Sequence, residues 1–379
     1  MRLTRRSVAL IAVSAASLAL AVLGGIPALL PVACLCAGLV IAALLIVLLA
    51  GARLEARRSV HPSIVEPEEP VEVTLDVALR TALPVVATRW RDRLPTTLRG
   101  TAEGTVPPTS RTGARLRYEV QGRRRGSHEV GPLTVVVGDA FGLAERTLSA
   151  TGHDRFVVLP RRRPLDSRDG PGGGTDGTSR MHPTSGLGQD DVIARPYLPG
   201  DALKRWHWKA TAHHGEPMVR QEESELRPTL LVVLDTEPRV HDQAGFEWSV
   251  SAAASIVSHY ADRRYDVDLA AGSAAVSLDA GHGLREALVV LALVEPGTES
   301  VPLPARDRTT LVLTGRLDSS GAERLLQSVG SRDTVAFVAR GTSDEATAAL
   351  ARAGWHVVVR DTSDDLADLW SRPVGVPVP

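Results

Sequence analysis

Two apolar stretches near the N-terminus constrain the fold of this chain more than any other feature. The first extends from Ser7 to Leu23 and the second from Ala28 to Ala50, with only the break GGIP between them. Each is long enough, or nearly so, to cross a hydrocarbon core of roughly 30 Å as a helix. A signal peptide would account for the first stretch, but not for a second one that follows so closely. The sequence therefore predicts a transmembrane hairpin over residues 1–58, with the membrane crossed by residues 7–50.

Basic side chains flank this hairpin on both sides, while the break between the two stretches carries no charge. Cytoplasmic flanks of membrane helices are enriched in Lys and Arg, so both termini are expected in the cytoplasm. The prediction is a multi-pass protein of the cell membrane whose soluble domains face the cytoplasm. The flanking arginines are Arg2, Arg5 and Arg6 before the first stretch and Arg53, Arg57 and Arg58 after the second.

Cysteine usage and net charge exclude several classes of protein. Cys34 and Cys36 are the only cysteines, and both lie within the second apolar stretch. We interpret them as small apolar residues, since two cysteines at this spacing form neither a disulfide framework nor a metal motif. The formal net charge of −1 gives no indication of a nucleic-acid-binding chain.

The spacing of hydrophobic residues divides the rest of the chain into three regions. Residues 59–160 alternate in short stretches such as VEVTLDVAL, which indicates a β-rich, sandwich-like domain. Residues 161–228 are interpreted as a linker, with a glycine-rich part at 166–180. In residues 229–379 strand-like and helix-like stretches alternate, which predicts a doubly wound, largely parallel α/β sheet. The stretch AAVSL at 274–278 follows the preceding strand too closely for a crossover helix, so we expect an antiparallel edge strand there.

A cluster of aromatic and basic residues lies within the linker. Asp201 is a plausible N-cap and Gly215 a plausible stop, which predicts a helix of about twelve residues. On this helix Leu203, Trp206 and Ala210 share one stripe, so Trp206 is expected to be buried. The cluster either pins the linker between the soluble domains or forms a docking surface, since Trp and Arg dominate binding hot spots.

Two blocks of sequence resemble a known family. The stretch 123–146, with GDAFGLAER at its end, and the stretch 195–221, called the signature stretch below, are similar to the domain of unknown function 58 family. The resemblance implies that residues 229–379 form a von Willebrand factor A-like domain. The residues of this chain that match the family's signature, and that would serve as signature or partner-binding residues, are Arg195, Tyr197, Gly200, Asp201, Arg205, His207, Trp208 and Lys209.

The same resemblance raises the question of a metal. Many von Willebrand factor A domains hold Mg²⁺ in an Asp-x-Ser-x-Ser loop, but here the matching loop is DTEPR, with Glu237 and Arg239 at the serine positions after Asp235. Mg²⁺ prefers oxygen ligands, and a guanidinium supplies donors and positive charge instead. No metal and no other cofactor are predicted, although weak cation binding at Asp235 and Glu237 stays open.

The sequence permits three functional interpretations. An enzyme would use Asp201, His207 and His213 as acid-base groups, but no nucleophile motif or phosphate loop accompanies them. A nucleic-acid platform is disfavoured because an acidic run follows at residues 222–225. The leading hypothesis is a non-enzymatic, membrane-anchored protein-binding scaffold. The resemblance implies that it works as an adaptor between a MoxR-type AAA+ ATPase and a client protein. The alternative is a hydrolase-like enzyme that uses Asp201, His207 and Asp235.

Overall fold

In a computed structural model the chain forms two compact units, Met1–Arg161 and Arg162–Pro379. The structure describes residues 1–83, 85–106, 113–165, 194–196, 208–220, 229–279, 281–298, 309–330 and 334–371.

Two apolar helices open the first unit, α1 (Arg5–Leu23) and α2 (Leu30–Leu49), joined through a short 3₁₀ turn at Pro27–Leu29. They pack side by side, and the Ser14 hydroxyl donates to the Ala33 carbonyl at 2.8 Å. Most of their large apolar side chains point outward, as Leu23 and Val22 do. By length and composition both helices are sufficient to cross a membrane.

Twelve strands lie in the rest of the first unit, as far as its residues are described. They form sheets ordered β1-β11-β10-β5-β7, β2-β4-β8-β6 and β3-β12-β9. The strands are β1 (Arg2–Leu3), β2 (Arg53–His61), β3 (Ile64–Val65), β4 (Pro70–Arg80), β5 (Val86–Asp92), β6 (Leu98–Gly100), β7 (Glu103–Thr105), β8 (Gly113–Gly122), β9 (Gly126–Val130), β10 (Leu133–Gly138), β11 (Ala144–Ala150) and β12 (Asp154–Val158).

The two larger sheets share one core, as the alternating pattern predicts. Val73 and Leu75 on β4 and Val135 on β10 are fully buried in the same cluster. The predicted boundary at residue 58 falls inside β2, which pairs with β4 from Arg53 onward. Residues 53–58 therefore belong to the β-rich part, because their backbone groups are used in the ladder.

A buried polar network crosses this core. The Arg58 guanidinium donates to both carboxylate oxygens of Asp92, at 3.1 and 2.8 Å, and the Tyr118 hydroxyl donates to the same carboxylate at 2.6 Å. Burial, and then the hydrogen bond to Asp92, raise the pKa of Tyr118. Arg58 is thus not the juxtamembrane surface charge that its position in the sequence suggested, because its side chain neutralises Asp92 inside the domain.

The second unit alternates strands and helices. Its elements are β13 (Ala194–Pro196), α3 (Trp208–His214), β14 (Met218–Arg220), β15 (Thr229–Leu234), α4 (Gln243–Asp262), β16 (Asp266–Ala271), β17 (Ala274–Leu278), α5 (Leu284–Leu293), β18 (Thr309–Leu313), α6 (Ser319–Val329), β19 (Thr334–Ala339), α7 (Asp344–Arg352), β20 (His356–Arg360) and α8 (Leu366–Trp370).

Six of these strands form one sheet in the order β17-β16-β15-β18-β19-β20. Strands β16, β15, β18, β19 and β20 are parallel, and β17 pairs antiparallel with β16 at the edge. The predicted alternation and the predicted edge strand at 274–278 are both confirmed. Leu231 and Val233 pack with buried residues of α6 and α7, whereas α4 and α5 contact β15 and β16.

Candidate functional site

The candidate site lies at the edge of the sheet where the parallel strands end, which is where open α/β sheets place ligands and partners. Asp235 directly follows β15, and Thr314 directly follows the neighbouring β18. The backbone N–H of Asp235 donates to the Leu313 carbonyl at 2.9 Å, which continues the ladder beyond both strands. The Thr314 hydroxyl then donates to Oδ2 of Asp235 at 2.7 Å, and both side chains are buried.

Arg324 on α6 completes this cluster. Its Nη2 lies 2.9 Å from Oδ2 of Asp235, and the backbone N–H of Glu237 donates to Oδ1 at 3.1 Å. The Asp235 side chain is 3% exposed and that of Arg324 is 40% exposed. The guanidinium therefore neutralises a buried carboxylate while its other edge faces solvent. Sequence reasoning missed Arg324, and the only signal was a basic residue within the predicted helix GAERLLQSV.

This set of donors does not fit Mg²⁺. An octahedral ion needs several oxygen ligands around it, whereas the Asp235 carboxylate is contacted by a guanidinium, a hydroxyl and an N–H group. Arg239, at the second serine position of the motif, is exposed. In the part of the chain that the structure describes, no three His, Cys, Asp or Glu side chains are grouped as metal ligands would be.

A cleft of about 620 Å³ opens beside Asp235, called the carboxyl-edge cleft below. Asp318 lies in its wall at the N-cap of α6, where its carboxylate accepts from the Gly321 N–H at 2.7 Å. That hydrogen bond, followed by one from Ser320, lowers the pKa of Asp318, so the carboxylate stays ionised at neutral pH. The charged residues that line the cleft are Glu237, Arg239, Arg316, Asp318 and Arg324. This mixture of charges suits a polar protein surface better than a small apolar ligand.

Two basic groups, the half-buried His241 and the buried Arg360, support the loop behind the cleft. His241 Nε2 donates to the Asp235 carbonyl at 2.7 Å, and burial lowers the pKa of His241. Arg360 donates to Ser249 Oγ at 2.9 Å and to the Thr314 carbonyl at 3.1 Å, and it stacks on Trp248. Burial lowers the pKa of Arg360 to about 10. These contacts hold the ends of β15 and β18 in place.

The signature stretch is described only in part. Strand β13 contains Arg195 and pairs antiparallel with β14, with Arg195 opposite Val219. Helix α3 is described from Trp208 onward and contains Lys209, and the side chain of Trp208 is 68% exposed. It ends at the predicted stop, since Gly215 has φ +75° and its N–H donates to the Thr211 carbonyl at 2.9 Å. Tyr197, Gly200, Asp201, Arg205, Trp206 and His207 lie outside the described residues.

Comparison with known proteins supports one part of the predicted resemblance. Residues 193–266 match the family described as "Protein of unknown function DUF58". The matched region includes the signature stretch, β15 and α4. No curated protein is significantly similar to the chain.

Two solved structures are similar to parts of the chain. The first is the CARDB domain of a Pyrococcus furiosus protein in complex with di-metal ions, at 16% identity and a TM-score of 0.20 over 28% of this chain and 91% of that one. The second is a conjugative transposon lipoprotein from Bacteroides eggerthii, at 18% identity and a TM-score of 0.17 over 28% of this chain and 95% of that one. At such TM-scores neither likeness bears on fold or function.

Proposed function

We propose that this protein is a membrane-anchored scaffold that presents a protein-binding α/β unit in the cytoplasm. It works there as an adaptor between a MoxR-type AAA+ ATPase and a client protein. The observation that carries the proposal is the carboxyl-edge cleft, where Arg324 neutralises the buried Asp235 and exposed charges of both signs line an open surface. Such a site offers charges of both signs for recognition of another protein.

The membrane part of the proposal rests on α1 and α2. Both helices expose apolar side chains over lengths that match a bilayer. Arg5, Arg6 and Arg53 remain exposed at the same end of the hairpin, whereas the 24–27 break is uncharged. This asymmetry favours a cytoplasmic location for both soluble units.

The von Willebrand factor A-like character of the second unit is part of the same proposal. It is supported by the strand order with its antiparallel edge strand and by the position of Asp235 after the first strand of the sheet. Adaptor function is then inferred by analogy with proteins of that class.

The hydrolase-like alternative has less support. Asp235 is engaged by Arg324 and Thr314, so its carboxylate is not poised to accept a proton from water or substrate. Its other members, Asp201 and His207, lie outside the described residues. Turnover of a substrate by the purified chain, abolished by His207→Ala with the fold unchanged, would replace the adaptor proposal with this one.

Crosslinking in native membranes tests the adaptor function. The double variant Arg239→Ala/Arg316→Ala removes two exposed charges of the cleft and should reduce capture of a MoxR-type ATPase, identified by mass spectrometry, several-fold. Arg352→Ala removes an exposed charge at the far end of α7 and is the matched control. Equal capture by all three proteins, or capture of no AAA+ ATPase by the unmodified chain, would contradict the proposal.

A reporter fusion tests the membrane topology separately. A reporter that is active only outside the cytoplasm, fused after Pro379, should give no signal. Strong activity of this fusion would reverse the orientation of the hairpin.

A further inference from the structure

The loop between β10 and β11 presents a bulky apolar side chain at its tip. Asp139 is buried, and its carboxylate accepts from the N–H groups of Phe141, Leu143 and Ala144 at 2.8, 2.7 and 2.7 Å. Gly142 has φ +67°, a conformation that L side chains rarely adopt. This rigid turn holds Phe141 outward, and Phe141 is 64% exposed.

The same loop is tied to the first turn of α1. The Thr4 hydroxyl donates to the Gly142 carbonyl at 2.7 Å, and the Thr4 N–H donates to the Leu143 carbonyl at 3.1 Å. The hydroxyl of Ser7, a fully buried residue, donates to that carbonyl as well. Strand β1 extends the junction by pairing with the start of β11. The loop therefore lies at the level where α1 begins.

Leu143 also packs against the end of α2. It is 3% exposed and forms one cluster with Ala43, Val47 and Ala144. Ala43 and Val47 precede the last residue of α2, Leu49, by roughly 9 and 3 Å along the helix at about 1.5 Å per residue. The loop thus lies against the end of the helical hairpin where α1 begins and α2 ends, between this end and the β-rich sheets.

We propose that the loop from Asp139 to Ala144 contacts the interfacial layer of the lipid bilayer, with Phe141 inserted among the lipids. The inference rests on the proposed membrane anchoring by α1 and α2. Because Leu143 packs beside residues inside the hairpin, Phe141, two residues away, lies at the depth where acyl chains meet headgroups. An aromatic side chain is favoured at that depth.

The basic side chains around the loop also favour a lipid bilayer as its partner. Arg2, Arg5 and Arg6 are exposed at the start of the hairpin, and Arg6 Nη1 lies 3.4 Å from the Phe141 carbonyl. Basic side chains next to an inserted apolar residue bind the anionic headgroups of a cytoplasmic leaflet. The loop thereby fixes the height of the β-rich sheets above the membrane.

Site-specific fluorescence on the full chain tests this contact. In a Cys34→Ala/Cys36→Ala background, single cysteines replace Phe141, Glu119 or Leu18, and each carries the same environment-sensitive dye. Glu119 is exposed and lies opposite Glu72 in the β-ladder, and Glu72 lies opposite His61 at the far end of β2. His61 is roughly 26 Å along β2 from Arg53, at about 3.3 Å per residue. Leu18 is an exposed position well inside α1. The proteins are reconstituted in vesicles of phosphatidylcholine and phosphatidylglycerol, with a nitroxide lipid or aqueous iodide as quencher.

The dye at Phe141 should be quenched by a nitroxide near the glycerol and should show several-fold less iodide quenching than the dye at Glu119. Iodide quenching at Phe141 equal to that at Glu119, while the dye at Leu18 is quenched by nitroxide lipid, would overturn the loop contact and leave the anchoring intact. Absence of lipid quenching at Leu18 would overturn the anchoring, and the loop contact with it. The dye at Glu119 controls for insertion driven by the dye itself, and equal thermal midpoints of the labelled proteins control for folding.

Discussion

The guanidinium of Arg324 lies 2.9 Å from the carboxylate of Asp235, at the point where the central strand of the α/β sheet ends. The carboxylate is almost fully buried, whereas the guanidinium is partly exposed. In this position the guanidinium neutralises a carboxylate that would otherwise be buried as an unpaired charge. The pair keeps the loop after β15 ordered and leaves Arg239 and Glu237 to face the cleft.

Arg324→Ala should destabilise the second unit by about 1–3 kcal/mol, because among the described residues it leaves the buried Asp235 charge with Thr314 and the Glu237 N–H as its donors. Thermal unfolding of the full chain in detergent measures the effect. Arg352→Ala, which removes an exposed arginine from α7, is the control and should change the midpoint little. An unchanged midpoint for Arg324→Ala would show that the pair contributes nothing to the fold.

Mg²⁺ should not stabilise the unmodified protein, because the Asp235 carboxylate is already paired with Arg324. Thermal midpoints measured with a chelator and with excess Mg²⁺ should agree within error. A ligand that binds only the native state raises the midpoint by mass action. A clear rise with Mg²⁺ would therefore contradict the assignment of this site as metal-free.

The stability of the second unit should fall as the pH falls below neutrality. Burial first, and then the positive charge of Arg360, lower the pKa of His241 from its ordinary value of 6.5, while Asp235 and Asp242 oppose this shift. Between the lowered pKa and 6.5 the unfolded chain binds more protons than the folded chain, so the free energy of unfolding decreases with decreasing pH. His259, whose pKa is also lowered by burial, acts in the same direction.

His241→Gln isolates the first of these contributions, since an amide N–H keeps a donor for the Asp235 carbonyl without titrating. Thermal midpoints measured from neutral to mildly acidic pH should show a shallower decline for the variant than for the unmodified chain. Identical pH profiles would exclude His241 as the source of the acid sensitivity.

Arg58→Ala should destabilise the first unit by about 3–5 kcal/mol, because it leaves the buried Asp92 carboxylate without its guanidinium partner. Asp92→Ala should cost less, because Arg58 keeps an ion pair with Asp154 at 3.2 Å, and thermal unfolding measures both variants. Arg115→Ala, which breaks an exposed ion pair with Asp76, is the matched control and should change the thermal midpoint little. Equal effects of the buried and exposed pairs would refute the role assigned to the network.

Trp208→Ala should change stability by no more than about 0.5 kcal/mol, because the side chain is 68% exposed. If the signature stretch is a docking surface, the same variant should weaken crosslinking to the ATPase partner. Trp370→Ala, at a residue that is 1% exposed, should instead cost about 3–5 kcal/mol. Unfolding of the Trp208→Ala protein would favour a purely structural role for the stretch.

Much of the architecture was predictable because it depends on local patterns. Hydrophobic period and length identify α1, α2 and the alternation of strands and helices after residue 229. The short distance between the stretches 266–271 and 274–278 permits only an antiparallel hairpin, and β16 and β17 form one. The chemistry of the DTEPR loop predicts poor binding of Mg²⁺ there, and this stays a prediction for the thermal midpoints to test.

Tertiary structure alone decided which charged groups meet. Arg324 and Asp235 are 89 residues apart in the chain, and Arg58 and Asp92 are 34 apart, with nothing in their local sequence to join them. Ser7 and Leu143 are 136 residues apart, yet they connect the first helix to the β10–β11 loop. Period and propensity determine which face of an element is apolar. The partners of a polar side chain depend instead on how these faces stack, because a buried charge is stable only where packing brings a counter-charge within hydrogen-bonding distance.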